Sequence, residues 1–299
     1  MEFYEADIYP MKTKKKPVAV NIILGLLVLL VAGFFIGRAA GWTGQKNEAK
    51  LLVLVNPWNQ ISGEVNPEFT IIEGMQMVDS RCAADLEDML RACRAAGHSP
   101  VVVSSYRDWS QQEQMYQEKV SELMLQGLDR ETAEADAKSH AAAPGYSEHQ
   151  LGLAVDIVDE EYTELDELQE DTATQQWLME NCWKYGLVFR FPKTDYPVKG
   201  TADKSYKTGV SVSLRAYRYV GRGNAAVMHL LDLCLEEYIE YLQEHPHIAV
   251  FEDGALRYEI VRQYVGDDAS SFQIQVTNRA KSYVSSLDNM GGVITVFEY

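Results

Sequence analysis

The chain has 299 residues, with 44 acidic and 27 basic side chains and a formal net charge of −17. That length holds one sizeable domain with additions. The basic residues form no long run or stripe, which excludes a nucleic-acid partner, because such partners require concentrated positive charge.

The first predicted element is hydrophobic. Residues 18–37 read VAVNIILGLLVLLVAGFFIG, with Asn21 as the only strongly polar side chain. About twenty apolar residues cover a bilayer core of roughly 30 Å, so the stretch is predicted to be one transmembrane helix. A buried core helix would keep a polar stripe. A cleaved signal peptide would have a shorter apolar region and a cleaner small-residue site than Arg38-Ala39-Ala40. Lys12, Lys14, Lys15 and Lys16 crowd the N-terminal side, while Arg38, Lys46 and Lys50 are sparser beyond it. The excess places residues 1–17 in the cytoplasm as a tail and exports the rest from a single-pass plasma-membrane anchor. Residues 38–51 are a polar linker.

An extended apolar run, LLVLVNPWN, follows. Val78, Cys82, Leu86, Met89, Leu90 and Cys93 then recur at three and four, predicting an amphipathic helix over Met77 to Ala96 that Gly97 closes. VVVSSY, Val101 to Tyr106, is a buried strand. Ser110 with Glu113 forms a capping box for a helix reaching about Gln126. An alanine-rich helix runs from Asp129 to Ala141, broken by Pro144 and Gly145. LAVDIV is extended, and the acidic stretch Asp159 to Asp171 is a solvated excursion. A helix from Thr174 to Tyr185 stops at Gly186. LVFRF and VSVSLRAYRYV are strand candidates, and Asn224 to Leu242 reads as one long amphipathic helix. Helices and strands mix without regular βαβ alternation, so the class is α+β. Beyond Pro246, LRYEIVRQY, SFQIQV and VITVFEY read as short strands. About fifty residues bury little alone, so 246–299 is expected to be a β-rich extension packed on a main domain, 52–245.

Cys82, Cys93, Cys182 and Cys234 contain no CxxC. Cys82 and Cys93 fall on one predicted helix, about 16 Å apart, too far to bridge. All four read as small buried apolar residues.

His149 and Asp156 are candidate metal ligands. Zinc takes imidazole and carboxylate donors, and catalytic sites commonly use three protein ligands and one water. The bare spacing says little, since a surface histidine and a structural aspartate would produce it equally well. Its surroundings say more. PGYSEHQLGLAVDIV closely resembles the signature of the VanY-type D-alanyl-D-alanine carboxypeptidases, zinc peptidases that trim peptidoglycan stem peptides. The likeness runs from about Leu52 to Leu242 and includes LVLVNPWN, SSYRDWSQQEQMY, QWLMENCWKYGLVFRFPK, YRYVG and LEEYIEYL. The strands ending DNMGGVITV resemble an extension of some members. The resemblance implies a mixed, mainly antiparallel sheet with helices, carrying a zinc site.

By position, His149 and Asp156 match two of the family's three zinc ligands. Arg107 matches an arginine that faces the substrate and stabilises the oxyanion, a role suited to a donor-rich guanidinium. Ser147 matches a substrate-holding serine. Gln114 also fits its motif, either at the substrate or bracing its helix.

The pattern then breaks. Before YRYVG the family reads E-P-W-H, with the Glu as general base and the His as third ligand. This chain has Ser213, Leu214, Arg215 and Ala216 there. Alanine has no lone pair for a metal, and a serine hydroxyl does not take a proton near neutral pH without another base. Losing general-base catalysis alone typically costs about 10²–10⁴-fold. Arg215, if it points inward, repels zinc, or pairs with Asp156 in the metal's stead. Of His98, His140, His229, His245 and His247, His140 is the nearest replacement ligand in sequence; Glu148 belongs to the ordinary motif. Zinc is therefore expected to be weak or absent. The expected function is that of a degenerate member, a pseudoenzyme binding stem peptides or a cell-wall protein partner. The alternatives are a working D,D- or L,D-carboxypeptidase with an atypical ligand set, or an interaction domain that has abandoned the groove.

Overall fold

The computed structural model describes residues 2–5, 39–42, 50–61, 63, 65–162, 172–196, 199–210, 215–266, 272–275 and 277–299. The expected anchor, 18–37, lies outside the described residues, as do residues 163–171 of the acidic stretch, Ser213 and Leu214. Among the described residues no helix is long and apolar enough to cross a membrane.

In chain order the strands and helices begin with Glu2–Glu5 (β1) and Ala39–Trp42 (β2). A hairpin of Phe69–Ile71 (β3) and Met77–Asp79 (β4) leads into helix Ser80–Ala95 (α1). Strand Pro100–Ser104 (β5), helices Trp109–Leu125 (α2) and Arg130–His140 (α3), and strand Ala154–Asp159 (β6) follow. Then come helix Ala173–Asn181 (α4), strand Leu187–Phe189 (β7), the single turn Ser205–Thr208 (α5) and strand Ala216–Tyr219 (β8). Helices Arg222–Leu231 (α6) and Leu235–Glu244 (α7) precede five strands. These are His247–Glu252 (β9), Ala255–Tyr264 (β10), Phe272–Gln275 (β11), Ser282–Leu287 (β12) and Gly292–Glu298 (β13).

The central sheet is antiparallel with order β5-β6-β8-β7. Alternation along its strands sorts two faces. Val155, Ile157, Leu187, Phe189, Tyr217 and Tyr219 pack with Cys82, Leu86, Met89 and Leu90 of α1 and Leu178 of α4 in one core. Each such buried aliphatic or aromatic side chain contributes roughly 1.5–3 kcal/mol. The intervening residues Asp156, Ala216 and Arg218 face the other way, and that face carries the site. A second core joins Val188, α6 and α7 to Ile248, Val250, Tyr258, Ile260 and Ile294 of a five-stranded antiparallel sheet, order β1-β9-β10-β13-β12. Separate two-stranded pairs are β3–β4 and β2–β11.

Several local expectations shift. Helix α1 starts at Ser80 because Asp79 caps it, accepting from the Arg81 amide. The capping box of α2 is Asp108 with Gln111, not Ser110 with Glu113, since the aspartate sits two residues earlier and both reciprocal bonds form there. The expected long helix 224–242 is two helices. Asp232 takes a left-handed φ of 52° at the end of α6, and Cys234 with Glu237 opens α7. LLVLVNPWN joins no sheet. Side chains serve its backbone instead: Ser286 accepts from the Leu52 amide, and Asn289 both accepts from Leu54 and donates to it. Strands β9 and β12 were not anticipated. The four cysteines are buried and free, as expected.

Candidate functional site

Three neighbouring strands set the site's floor. The β5–β6 register opposes Ser104 to Asp156, after an irregularity between Val102 and Ser104, and the β6–β8 register opposes Asp156 to Ala216. Ser104, Asp156 and Ala216 therefore form a row on one face. His149 arrives from a one-turn 3-10 helix, Glu148–Leu151, directly before β6. Gly152 ends that turn at a left-handed φ of 72°, and a Cβ there would stand 3.2 Å from the Asp79 amide nitrogen and 3.3 Å from Phe69. Only glycine satisfies both demands.

His149 Nδ1 lies 2.6 Å from the Ser105 carbonyl oxygen, which can only accept, so Nδ1 carries a proton and Nε2 faces Asp156. Nε2 stands 3.6 Å from Asp156 Oδ1. On the opposite oxygen, Arg215 Nε stands 3.4 Å from Oδ2. The Arg215 backbone is fixed by its carbonyl, which accepts from the Ile157 amide at 3.0 Å. Burial pushes the Asp156 carboxyl up, but His149, Arg215 and Arg107 outweigh it and hold the group down at about 2.

Arg107 lies beyond the end of β5, its amide donating to the His149 carbonyl at 3.2 Å. Its guanidinium donates to Ser104 Oγ at 3.3 Å and to Ser147 Oγ at 3.4 Å. Nε is buried without a hydrogen-bond partner. Burial pulls the Arg107 pKa down, and Arg215 adds to the fall while Asp156 opposes it. A largely buried guanidinium held by two hydroxyls has the chemistry to donate to an anionic or carbonyl oxygen.

The structure thus brings Arg107, Ser147, His149 and Asp156 together. Gln114 does not join them: it is exposed on α2 and donates to Glu118 at 2.8 Å. Its neighbour Gln112 turns inward and donates to the Ala142 carbonyl. His140 ends α3.

One layer beneath is a charge cluster that sequence reasoning missed. Glu148, at the site turn, accepts from Arg190 Nε at 2.9 and 3.0 Å and lies 3.4 Å from Arg218 Nη1. Arg190 also donates to Glu236 of α7 at 3.0 and 2.6 Å, and Asn56 donates to Glu236 at 2.9 Å. All five side chains are buried. Burial lowers both arginines' pKa values, but Glu148 and Glu236 reverse that for Arg190, which rises, whereas Arg218 stays lowered. A signal existed: Arg190 and Arg218 interrupt the otherwise apolar runs LVFRF and AYRYV, and a charge inside a buried strand needs a buried partner.

The fit to zinc is incomplete. His149 and Asp156 sit close to the roughly 3.3 Å that two donors keep on one tetrahedral zinc with bonds of about 2.0–2.1 Å. The Nδ1 bond to Ser105 is the usual orienting contact of a metal-binding imidazole. Across from Asp156, where the resemblance implies a third ligand, stands the Ala216 methyl, and the Arg215 guanidinium lies beside the Asp156 carboxylate. Among the described residues no three His, Cys, Asp or Glu side chains could share a metal ion. The described residues do not make a catalytic zinc site.

The family model VanY, D-alanyl-D-alanine carboxypeptidase, matches residues 75–221. A D-alanyl-D-alanine carboxypeptidase of Enterococcus faecalis is 37% identical over 189 residues, 63% of this chain and 65% of that protein. The chain thus spans slightly less than two thirds of that relative. YodJ of Bacillus subtilis is 32% identical over 210 residues, 67% of this chain and 70% of YodJ. Among solved structures, a mutant VanY D,D-pentapeptidase from a VanB-type cassette with Zn(II) is 36% identical with a TM-score of 0.54, covering 63% of this chain and 98% of its own. VanYB in complex with D-alanine-D-alanine is also 36% identical, with a TM-score of 0.55 and coverages of 63% and 97%.

Proposed function

We propose that this chain, which belongs to the VanY family of D-alanyl-D-alanine carboxypeptidases, is an anchored, extracytoplasmic member that binds peptidoglycan stem peptides without cleaving them by zinc chemistry. One observation carries this reading: Ala216 stands directly across from Asp156, and Arg215 occupies the carboxylate. Ser213, the residue at the general-base position, adds to it. The binding half of the site supports retention of a ligand, because Arg107 keeps Ser147 and an unused buried donor. Arg107 and Ser147 are assigned to the peptide, and His149 and Asp156 to orienting the groove. A cell-wall protein partner is the other occupant the same groove would take.

The test uses full-length protein in detergent, with zinc content, calorimetric binding of a stem pentapeptide and released D-alanine measured together. Binding that Arg107→Ala abolishes, with no D-alanine released, is the expected result. Stoichiometric zinc with D-alanine release overturns the proposal. A second reading, an active D,D- or L,D-carboxypeptidase with an outside ligand completing the set, is favoured by the 3.6 Å spacing of His149 and Asp156. It requires activity that His149→Ala removes.

Anchoring through 18–37, with the tail in the cytoplasm, rests on the length of that apolar run and the lysines before it. It has a structural consequence. Residues 2–5 pair with β9 in the fold described above, and a chain that crosses the bilayer once between them cannot keep that pairing. In the anchored form the outer edge of β9 is open.

A further inference from the structure

We infer that Arg215 is the resident cation of this site, compensating Asp156 in place of a metal and excluding zinc while it remains there. The inference rests on the zinc-free reading above and goes beyond it by naming the residue responsible. Asp156 is buried, and a buried carboxylate is retained only with charge and hydrogen-bond compensation. Its two oxygens meet different partners. Oδ1 faces His149 Nε2 at 3.6 Å, and Oδ2 faces Arg215 Nε at 3.4 Å.

The delivery of Arg215 follows from the strand. Ala216 pairs directly with Asp156, and the Arg215 carbonyl is bound to the Ile157 amide, so residue 215 is held just before the start of β8, beside the carboxylate. With only a methyl at 216, the volume of a third ligand's ring is not filled by that residue. The guanidinium remains one-third exposed, with a side-chain accessibility of 32%, so it reaches Asp156 from the open side of the site. Arg107, the second guanidinium, interacts electrostatically with both Asp156 and Arg215. Among the described residues, a divalent ion between His149 and Asp156 would therefore meet the positive charges of Arg107 and Arg215 against the negative charge of Asp156.

Full-length wild type, Arg215→Met, Arg215→Lys, Ala216→His and the Arg215→Met, Ala216→His double variant would be compared for zinc content and for melting with and without Zn²⁺. Co²⁺ absorption provides a spectroscopic readout of tetrahedral binding. The expected pattern is no bound zinc in wild type or Ala216→His, and about one equivalent in the double variant, whose melting temperature rises with Zn²⁺. Arg215→Met alone melts below wild type, and Arg215→Lys, which keeps the charge, melts close to it. Zinc bound by Ala216→His with Arg215 in place overturns the inference, as does an Arg215→Met variant as stable as wild type. Both leave the zinc-free reading of the wild type standing. Stoichiometric zinc in the wild type instead removes that reading itself.

Discussion

Asp156 and Ala216 are directly paired across the β6–β8 ladder, so a methyl group faces the carboxylate where the family pattern carries an imidazole. Cross-strand partners hold their Cβ atoms about 4.5–5.5 Å apart, within reach of a shared ion for a histidine on the same face. A histidine placed at 216 is therefore expected to reach an ion held by Asp156.

On the proposed reading, metal binding and catalysis should be restorable one after the other. The Arg215→Trp, Ala216→His variant is expected to bind zinc and release D-alanine slowly from a stem pentapeptide. Adding Ser213→Glu restores the base, and kcat should rise by about 10²–10⁴-fold, the usual contribution of general-base catalysis. The measurement is steady-state D-alanine release at saturating zinc. Equal rates in the two variants would show that base loss is not what limits the chain.

The site was legible through the resemblance carried by SEHQLGLAVD and SSYR, since the bare spacing of His149 and Asp156 says little. Ser147, His149 and Asp156 fall within ten residues, and Arg107 lies a short step beyond the end of β5. The Glu148–Arg190–Glu236 cluster was not, because its members are separated by 42 and 46 positions and meet only when α7 packs on the central sheet. Gln112 rather than Gln114 turns inward for a similar reason: helical phase relative to the rest of the fold, which no local pattern encodes, decides which of two nearby glutamines does so. The division of 224–242 turned on Asp232 in a left-handed conformation, a cap that aspartate tolerates but does not announce.

That cluster has a measurable stability consequence. Arg190→Met leaves Glu148 and Glu236 buried without their main counter-charge, and breaking a buried pair from one side costs about 3–5 kcal/mol. At roughly 2–4 °C per kcal/mol for a chain of this size, thermal melting should fall by about 6–20 °C. A Glu148→Gln, Arg190→Met, Glu236→Gln triple variant removes the stranded charges and should recover part of the loss.

Acid should act through the same cluster. Burial pushes the Glu236 carboxyl up, but Arg190's charge, with hydrogen bonds from Arg190 and Asn56, holds it below its ordinary value. The folded pKa lies under the unfolded one, near 4.3, so the stabilisation is complete above that pH and is lost as pH falls through the folded value. Denaturant melts of wild type and Glu236→Gln should therefore converge below about pH 4. Parallel curves from pH 6 down to 3 would contradict the assignment.

Gly223 tests how the five-stranded sheet is joined to the central domain. A Cβ there would meet Val296 Cγ1 at 2.6 Å and Tyr258 at 3.2 Å, so α6 lies against β10 and β13 with no room to spare. Gly223→Val should overpack that contact and cost about 1–3 kcal/mol. Urea denaturation of the full chain reads the loss. An unchanged midpoint would mean the two parts yield there freely.

The anchor can be tested with a single thiol. Burial pushes the four native cysteines up to about 12, so they are unreactive at neutral pH and give a quiet background. Leu125, 89% exposed at the end of α2, is a reporter for the exported side, and Tyr4 for the tail. In intact cells an impermeant maleimide should label Leu125→Cys and spare Tyr4→Cys until the membrane is opened. Pairing of Tyr4 with Ala249 on β9 demands the opposite, with both positions in one compartment. Labelling of both in intact cells would therefore agree with that strand pairing and rule out a single crossing through 18–37. Labelling of Leu125→Cys alone would leave β9 an open edge, where a partner's strand could add.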